Sequence, residues 1–316
     1  MKPLNIVATT LLSCILFSFL FIYVLHKPLT VQLLQEQYQH KLAYLKGING
    51  NKIVILAGSN GRFSHRCETI EQEIKFPCAN MSIMAGMSLG YQLEKIKPYL
   101  YSKDILYLPL EYGKLNEAKN IALSGAEIPY VMTYDHAYLY ELDWDAFLYA
   151  IFYFDIKYFI SSVGEITFNK MGLKKRYSTD TLTPQGDESK HTIEKAEQYK
   201  TYIDKLKWTP PTPATVNRLS YSAESTINFM RWATNNGITV IGGLPTVFDD
   251  SQIPDETIST LRDFYTENGH QFISLKNKCQ YPREYFYDTS YHLSEKYQIL
   301  HSKSIAQKIS TEIVNI

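Results

Sequence analysis

The chain has 316 residues, enough for one large domain or two small ones. Lys and Arg number 32, as do Asp and Glu, so the basic surface that a nucleic-acid partner asks for is missing. Cysteine occurs at 14, 67, 78 and 279 with no Cys-x-x-Cys spacing, which argues against a zinc-ribbon type of metal site. Tyr is abundant at 25 against three Trp. That balance suits amphipathic ligands such as sugars or lipids, and equally a bias in base composition.

From Leu4 to Leu25 no residue is charged. This run of 22 residues extends ~33 Å as a helix, enough to cross the ~30 Å hydrocarbon core of a bilayer. No small-x-small cleavage site follows it, so residues 1–27 read as one retained N-terminal transmembrane anchor rather than a signal peptide. Leu11-Leu12-Ser13-Cys14 resembles a lipoprotein box but lies in the middle of the run. Positive charge stands on both sides, at Lys2 and at Lys27 and Lys41, so charge counting leaves the orientation open. A short N-terminal tail and no second spanning run favour a single-pass protein with its globular part outside the cytoplasm.

Residues 28–51 carry Leu33, Leu34, Tyr38, Leu42 and Leu45 at near-helical spacing and read as a stalk. Residues 52–57, Lys-Ile-Val-Ile-Leu-Ala, suit a strand buried on both faces. A helix over 61–74, a short strand over 76–81, a helix over 87–99 ended by Pro98 and a strand over 104–110 follow. The alternation resumes with a helix over 219–235, a strand at 238–241, a helix over 255–267, a strand at 272–275 and a last helix over 295–313 with Ser294 as its N-cap. Strand–helix alternation implies parallel strands joined by crossover helices. The rhythm breaks over 113–215, where aromatics crowd and a polar segment, Ser178 to Lys190, reads as a mobile loop. That stretch is read as an inserted helical cap on an α/β domain covering 52–316. Cys67 and Cys78 are near enough in sequence to pair, though separate buried thiols are the preferred reading.

In an open parallel sheet, ligands bind beyond the carboxyl ends of the strands. Ser59 follows the first strand directly, and Asn60 stands beside it. Asn80, Ser82 and Gly86 follow the second strand, and Glu111 and Tyr112 follow the third. Asp288 and His292 lie just before the last helix. A serine hydroxyl needs a base to become a nucleophile; His292 is the candidate, with Asp288 to orient it. For Ser59 alone, capping of the following helix is an equal reading.

Three segments resemble the SGNH, or GDSL-type, hydrolase superfamily. Ala57-Gly58-Ser59 is similar to its Gly-x-Ser block, with Ala where Gly is usual. Asn80-Met81-Ser82-Ile83-Met84-Ala85-Gly86 is similar to its Asn-x-Gly-x-x-x-Gly block. Asp288 and His292 match its Asp-x-x-His block with one extra residue between them. The third block, a Gly-x-Asn whose Asn completes the oxyanion hole, has no counterpart; Leu108-Pro109-Leu110-Glu111-Tyr112 stands in its place.

The resemblance implies an α/β fold with a three-layer, mostly parallel flavodoxin-like sheet. It implies Ser59 as nucleophile, His292 as base and Asp288 as orienting acid, with the Ser59 and Ser82 amides holding an oxyanion. Asn60, Asn80, Ser82, Gly86, Glu111 and Tyr112 are the expected substrate-binding residues. No metal and no cofactor are expected. The architecture resembles anchored SGNH-like proteins that modify bacterial envelope polymers. The implied function is an acyl-ester hydrolase or O-acyltransferase acting on an envelope polysaccharide or lipid, at the plasma membrane, beside a membrane-bound acyltransferase as partner. The alternative is a non-catalytic member that binds glycan or partner proteins in an export or modification complex.

Overall fold

The structure is a computed structural model that describes residues 3–26, 29–123, 126–152, 156–172 and 179–313. The junction between anchor and stalk at residues 27–28, and Ser178 at the head of the expected loop, lie outside the described residues. The chain divides into two compact units, Met1–Glu36 with Leu123–Thr179, and Gln37–Ala122 with Asp180–Ile316.

The second unit holds the sheet. Its strands are β1 (Ile53–Ile55), β2 (Cys78–Asn80), β3 (Ile105–Leu108), β4 (Thr239–Gly243), β5 (Val247–Phe248), β6 (Gln271–Ile273) and β7 (Gln280–Tyr281). Five of them form one sheet in the order β2-β1-β3-β4-β6, every pair parallel. β5 and β7 pair separately. Strand residues alternate between two faces. Ile53, Ile55, Ile105, Tyr107 and Ile241 pack with Ile70, Ile305 and Ile309 of the helices Cys67–Ile74 and Glu295–Ile313. Val54, Leu56, Leu106, Leu108 and Val240 pack with Leu93, Phe229 and Met230 of the helices Leu89–Ile96 and Tyr221–Asn235. With both faces covered, every position is apolar, which is why these strands read as unbroken apolar runs. The result is three layers with a doubly wound strand order. The order reverses between β1 and β3, so the crevice at their carboxyl ends is the switch point where ligands bind in such sheets.

Several expectations need correction. The helix expected over 61–74 is two helices, Ser59–Ser64 and Cys67–Ile74, separated by His65 and Arg66 in extended backbone. Tertiary bonds override local propensity there: the Arg66 amide donates to Ser302 Oγ at 2.7 Å and its Nε to Gln298 Oε1 at 3.2 Å. The expected stalk is a helix, Leu29–Gly47, whose later half belongs to the sheet unit. Its Leu45 joins the core, and buried Lys41 donates to the carbonyls of Asn80 (2.9 Å) and Gly186. Nor is the polar segment a loose loop. Gln185 O accepts from the Asn80 amide at 2.8 Å, the Glu188 amide donates to Arg62 O at 3.0 Å, and Asp187 is fully buried. Cys67 and Cys78 form a disulfide that ties a helix to β2, against the reading of separate thiols. Ser294 precedes the last helix as expected, but its hydroxyl donates to Tyr285 O.

In the first unit, the helix Pro3–His26 is long and apolar enough to cross a membrane. It runs beside the helices Glu127–Tyr134 and Ile156–Lys170. The expected insert, 113–215, is therefore divided: 123–179 forms a unit with the N-terminal segment, whereas 113–122 and 180–215 belong with the sheet.

Candidate active site

β1 delivers the chain to Ser59, the first residue of the helix Ser59–Ser64. The N-cap is Gly58, and no side chain caps the helix. Ser59 is partly exposed, and its hydroxyl makes no hydrogen bond to any described residue. Helix capping is therefore not what this serine does. Close packing fixes the turn. A Cβ on Gly58 would stand 2.5 Å from Glu111 Oε1 and 2.8 Å from the Ala85 backbone. A Cβ on Gly61 would stand 2.1 Å from Ser82 Oγ. Both contacts are closer than any side chain allows, so glycine is required at each.

Glu111, at the end of β3, closes the other side of the switch point. Its carboxylate accepts from the amides of Gly58 (3.0 Å) and Asn60 (2.9 Å), on either side of Ser59. The turn's partial positive end is thus occupied by a carboxylate of the protein itself. The Ser59 amide lies between these two and has no partner among the described residues.

The loop before the last helix carries the acid and base. Asp288 Oδ1 stands 2.6 Å from His292 Nδ1. The extra residue between them, relative to the shorter spacing, is absorbed by a closed turn: the Tyr287 amide donates to His292 O at 2.7 Å. A carboxylate at Nδ1 favours the Nδ1–H tautomer and leaves Nε2 as an acceptor. Nε2 has no partner among the described residues. The loop docks on the serine helix. Ser64 Oγ donates to Tyr291 O at 2.8 Å, and the His292 ring stacks on Phe63 with centroids 4.1 Å apart and planes 9° apart. Phe63 lies four residues beyond Ser59, on the same helix face. The base is thereby docked on the helix that Ser59 opens. No hydrogen bond joins Ser59 to His292.

The remaining expected ligand contacts fare differently. Asn60 is fully buried; its Nδ2 donates to Pro109 O at 2.8 Å and its Oδ1 accepts from Thr246 Oγ1 at 2.9 Å. Asn80 is fully buried too, donating to Gly61 O (2.8 Å) and Asp187 Oδ1 (2.9 Å). The Ser82 amide donates to Asn80 Oδ1 at 3.1 Å, and Ser82 Oγ accepts from the Ala57 amide at 2.9 Å. All three are bonded within the protein and brace the site floor, and the Ser82 amide, expected to hold an oxyanion, donates to Asn80. Glu111 is likewise a brace. Burial pushes the Tyr112 phenol well above its ordinary value, and its hydroxyl is buried without a partner. Gly86 is exposed.

Phe63, Asp187 and Thr246 carry structural roles that sequence reasoning missed. Phe63 had a signal, an aromatic one turn after the serine; Asp187 and Thr246 had none. Burial pushes Asp187 upward, and its hydrogen bonds from Asn80 and the Cys67 amide work against that. Among the described residues no cluster of His, Cys, Asp and Glu suited to a metal ion occurs.

Fold and site together define a doubly wound parallel α/β protein with a serine at its switch point and a His–Asp pair docked on the helix that this serine opens. No protein-family model matches the chain, and no curated protein matches it. Among solved structures, protein YxiM from Bacillus subtilis is similar at 11% identity with a TM-score of 0.40. That likeness covers 84% of this chain and 58% of the other. At that level it extends to neither family nor activity.

Proposed function

We propose that this is a membrane-anchored SGNH-type acyl-ester hydrolase or O-acyltransferase acting on a cell-envelope polysaccharide or lipid. The observation that carries the reading is the 2.6 Å Asp288–His292 bond on a loop docked against the helix of a serine whose hydroxyl serves no structural bond among the described residues. His292 Nε2 takes the proton from Ser59 as its Oγ attacks the acyl carbonyl, then returns it to the leaving group. Asp288 holds the ring and steadies the imidazolium. Substrate binding draws serine and imidazole into hydrogen-bond reach, since catalytic bonds are often loose without substrate. The Ser59 amide is the oxyanion donor, with the exposed Ala85 amide, packed against Gly58, as the second. The side-chain donor expected in the third block is replaced by Glu111. Loss of one such donor costs about 3–4 kcal/mol of transition-state stabilisation, so turnover is slow. The apolar N-terminal helix supports a plasma-membrane anchor. The Cys67–Cys78 disulfide supports an oxidising, extracytoplasmic compartment.

The test is labelling by a fluorophosphonate, with p-nitrophenyl acetate hydrolysis alongside. Ser59→Ala should abolish both with little change in melting temperature. Asp288→Asn should slow hydrolysis on the order of 10³–10⁴-fold. A Ser59→Ala protein that still hydrolyses the ester refutes the catalytic reading. A wild-type protein that is folded but neither labelled nor active favours the second reading, a non-catalytic glycan- or partner-binding protein. The engaged Ser82 amide and the carboxylate of Glu111 at the turn support that alternative.

A further inference from the structure

The helices between Glu127 and Lys170 leave a large apolar surface bare. Ile156, Ile160 and Val163 are 62%, 65% and 40% exposed, and they repeat at helical spacing along one face of Ile156–Lys170. Phe152, Phe168 and Met171, and Trp144 and Tyr140 earlier in the chain, are exposed as well. Ser162 of the same helix, by contrast, is buried. A surface like this is not left in water by a monomeric protein without a partner. The partner is indicated by the same compact unit. The helix Pro3–His26, which is long and apolar enough to cross a membrane, lies alongside Ile156–Lys170 and Glu127–Tyr134. Any bilayer that holds the first helix meets the second. Fifteen residues in Ile156–Lys170 reach only ~22 Å, short of the ~30 Å hydrocarbon core, so this helix does not span. The exposed Tyr140 and Trp144 are of the residue types that settle at headgroup level.

We propose that the helices Trp144–Phe152 and Ile156–Lys170 are seated in one leaflet of the bilayer beside the anchor, with lipid acyl chains covering the Ile156–Ile160–Val163 face. The inference rests on the membrane-anchor part of the proposed function and not on the catalytic part. The seating embeds the helices of this unit in the bilayer beside the anchor, rather than leaving the anchor as the sole contact with lipid.

The test uses the full chain in vesicles of phosphatidylethanolamine and phosphatidylglycerol. An environment-sensitive fluorophore is placed on Cys14 in the anchor. On a Cys14→Ser background it is placed on Ile160→Cys, Val163→Cys or, as a control in the other unit, exposed Tyr202→Cys. Nitroxide-labelled lipids then report depth. The expected result is deep quenching at Cys14 and shallow quenching at positions 160 and 163, several-fold stronger than at 202. Quenching at Cys14 with none above the control at 160 and 163 overturns the seating and leaves the anchor standing. A blue-shifted but unquenched fluorophore at 160 overturns it too, since protein rather than lipid then covers the stripe. If Cys14 is also unquenched, anchor and seating fall together.

Discussion

Glu111 is the residue whose replacement reports most directly on how the serine turn is held. Glu111 is 8% exposed, and its carboxylate accepts from two main-chain amides, Gly58 at 3.0 Å and Asn60 at 2.9 Å. Glu111→Gln preserves the shape but offers one oxygen and one NH2 group. One amide keeps an acceptor and the other faces a donor. Losing a hydrogen bond to a charged group in a buried turn costs roughly 1.5–3 kcal/mol. For a unit of this size, each kcal/mol lowers the melting temperature by roughly 2–4 °C, so a fall of roughly 3–12 °C is expected. Circular dichroism on the purified protein reads it, and the fluorophosphonate rate at Ser59 should fall with it, because the loosened turn carries the nucleophile. A melting temperature unchanged to within about a degree, well inside that range, would refute the bracing role. A stable variant with an altered substrate preference would return Glu111 to the ligand contacts.

Gly61→Ala should destabilise strongly, since its Cβ would meet Ser82 Oγ at 2.1 Å and Ser82 Cβ at 2.7 Å; overpacking of this kind costs about 1–3 kcal/mol, and an unshifted denaturation midpoint would contradict the packing described. Reducing the Cys67–Cys78 bond, which closes a separation of 11 residues, should cost about 3 kcal/mol by chain entropy. Thiol titration in denaturant without reductant should find two reactive cysteines, and finding four would show that the bond is absent. Burial pushes His65 and His191 down to about 4, so both are neutral in the fold, while the unfolded chain binds protons below ~6.5. Their contribution is intact above pH ~6.5 and lost as the pH falls toward about 4, by roughly 3 kcal/mol for each. A denaturation midpoint that stays flat between pH 7 and 4 would refute their burial as neutral rings.

The sequence alone determined the layered α/β class, because strands buried on both faces must be apolar throughout, as Ile53-Val54-Ile55-Leu56 and Ile105-Leu106-Tyr107-Leu108 are. It also determined the N-terminal apolar helix, since an uncharged run of that length has few other uses, and it brought Ser59, Asp288 and His292 forward through their places at the strand end and before the last helix. Which polar residues brace the serine turn was decided only by the tertiary structure. Asn60, Asn80 and Ser82 carry the same groups whether they brace a turn or bind a substrate. The difference lies in partners distant in the chain, such as Thr246 and Asp187, that no local pattern announces. The break at His65 and Arg66, the Cys67–Cys78 pairing and the docking of 180–190 likewise depend on long-range contacts. So does the division of the inserted segment. An aromatic, apolar helix reads the same in sequence whether it lies over a sheet or beside an apolar N-terminal helix, because hydrophobicity specifies burial and not the neighbour that provides it.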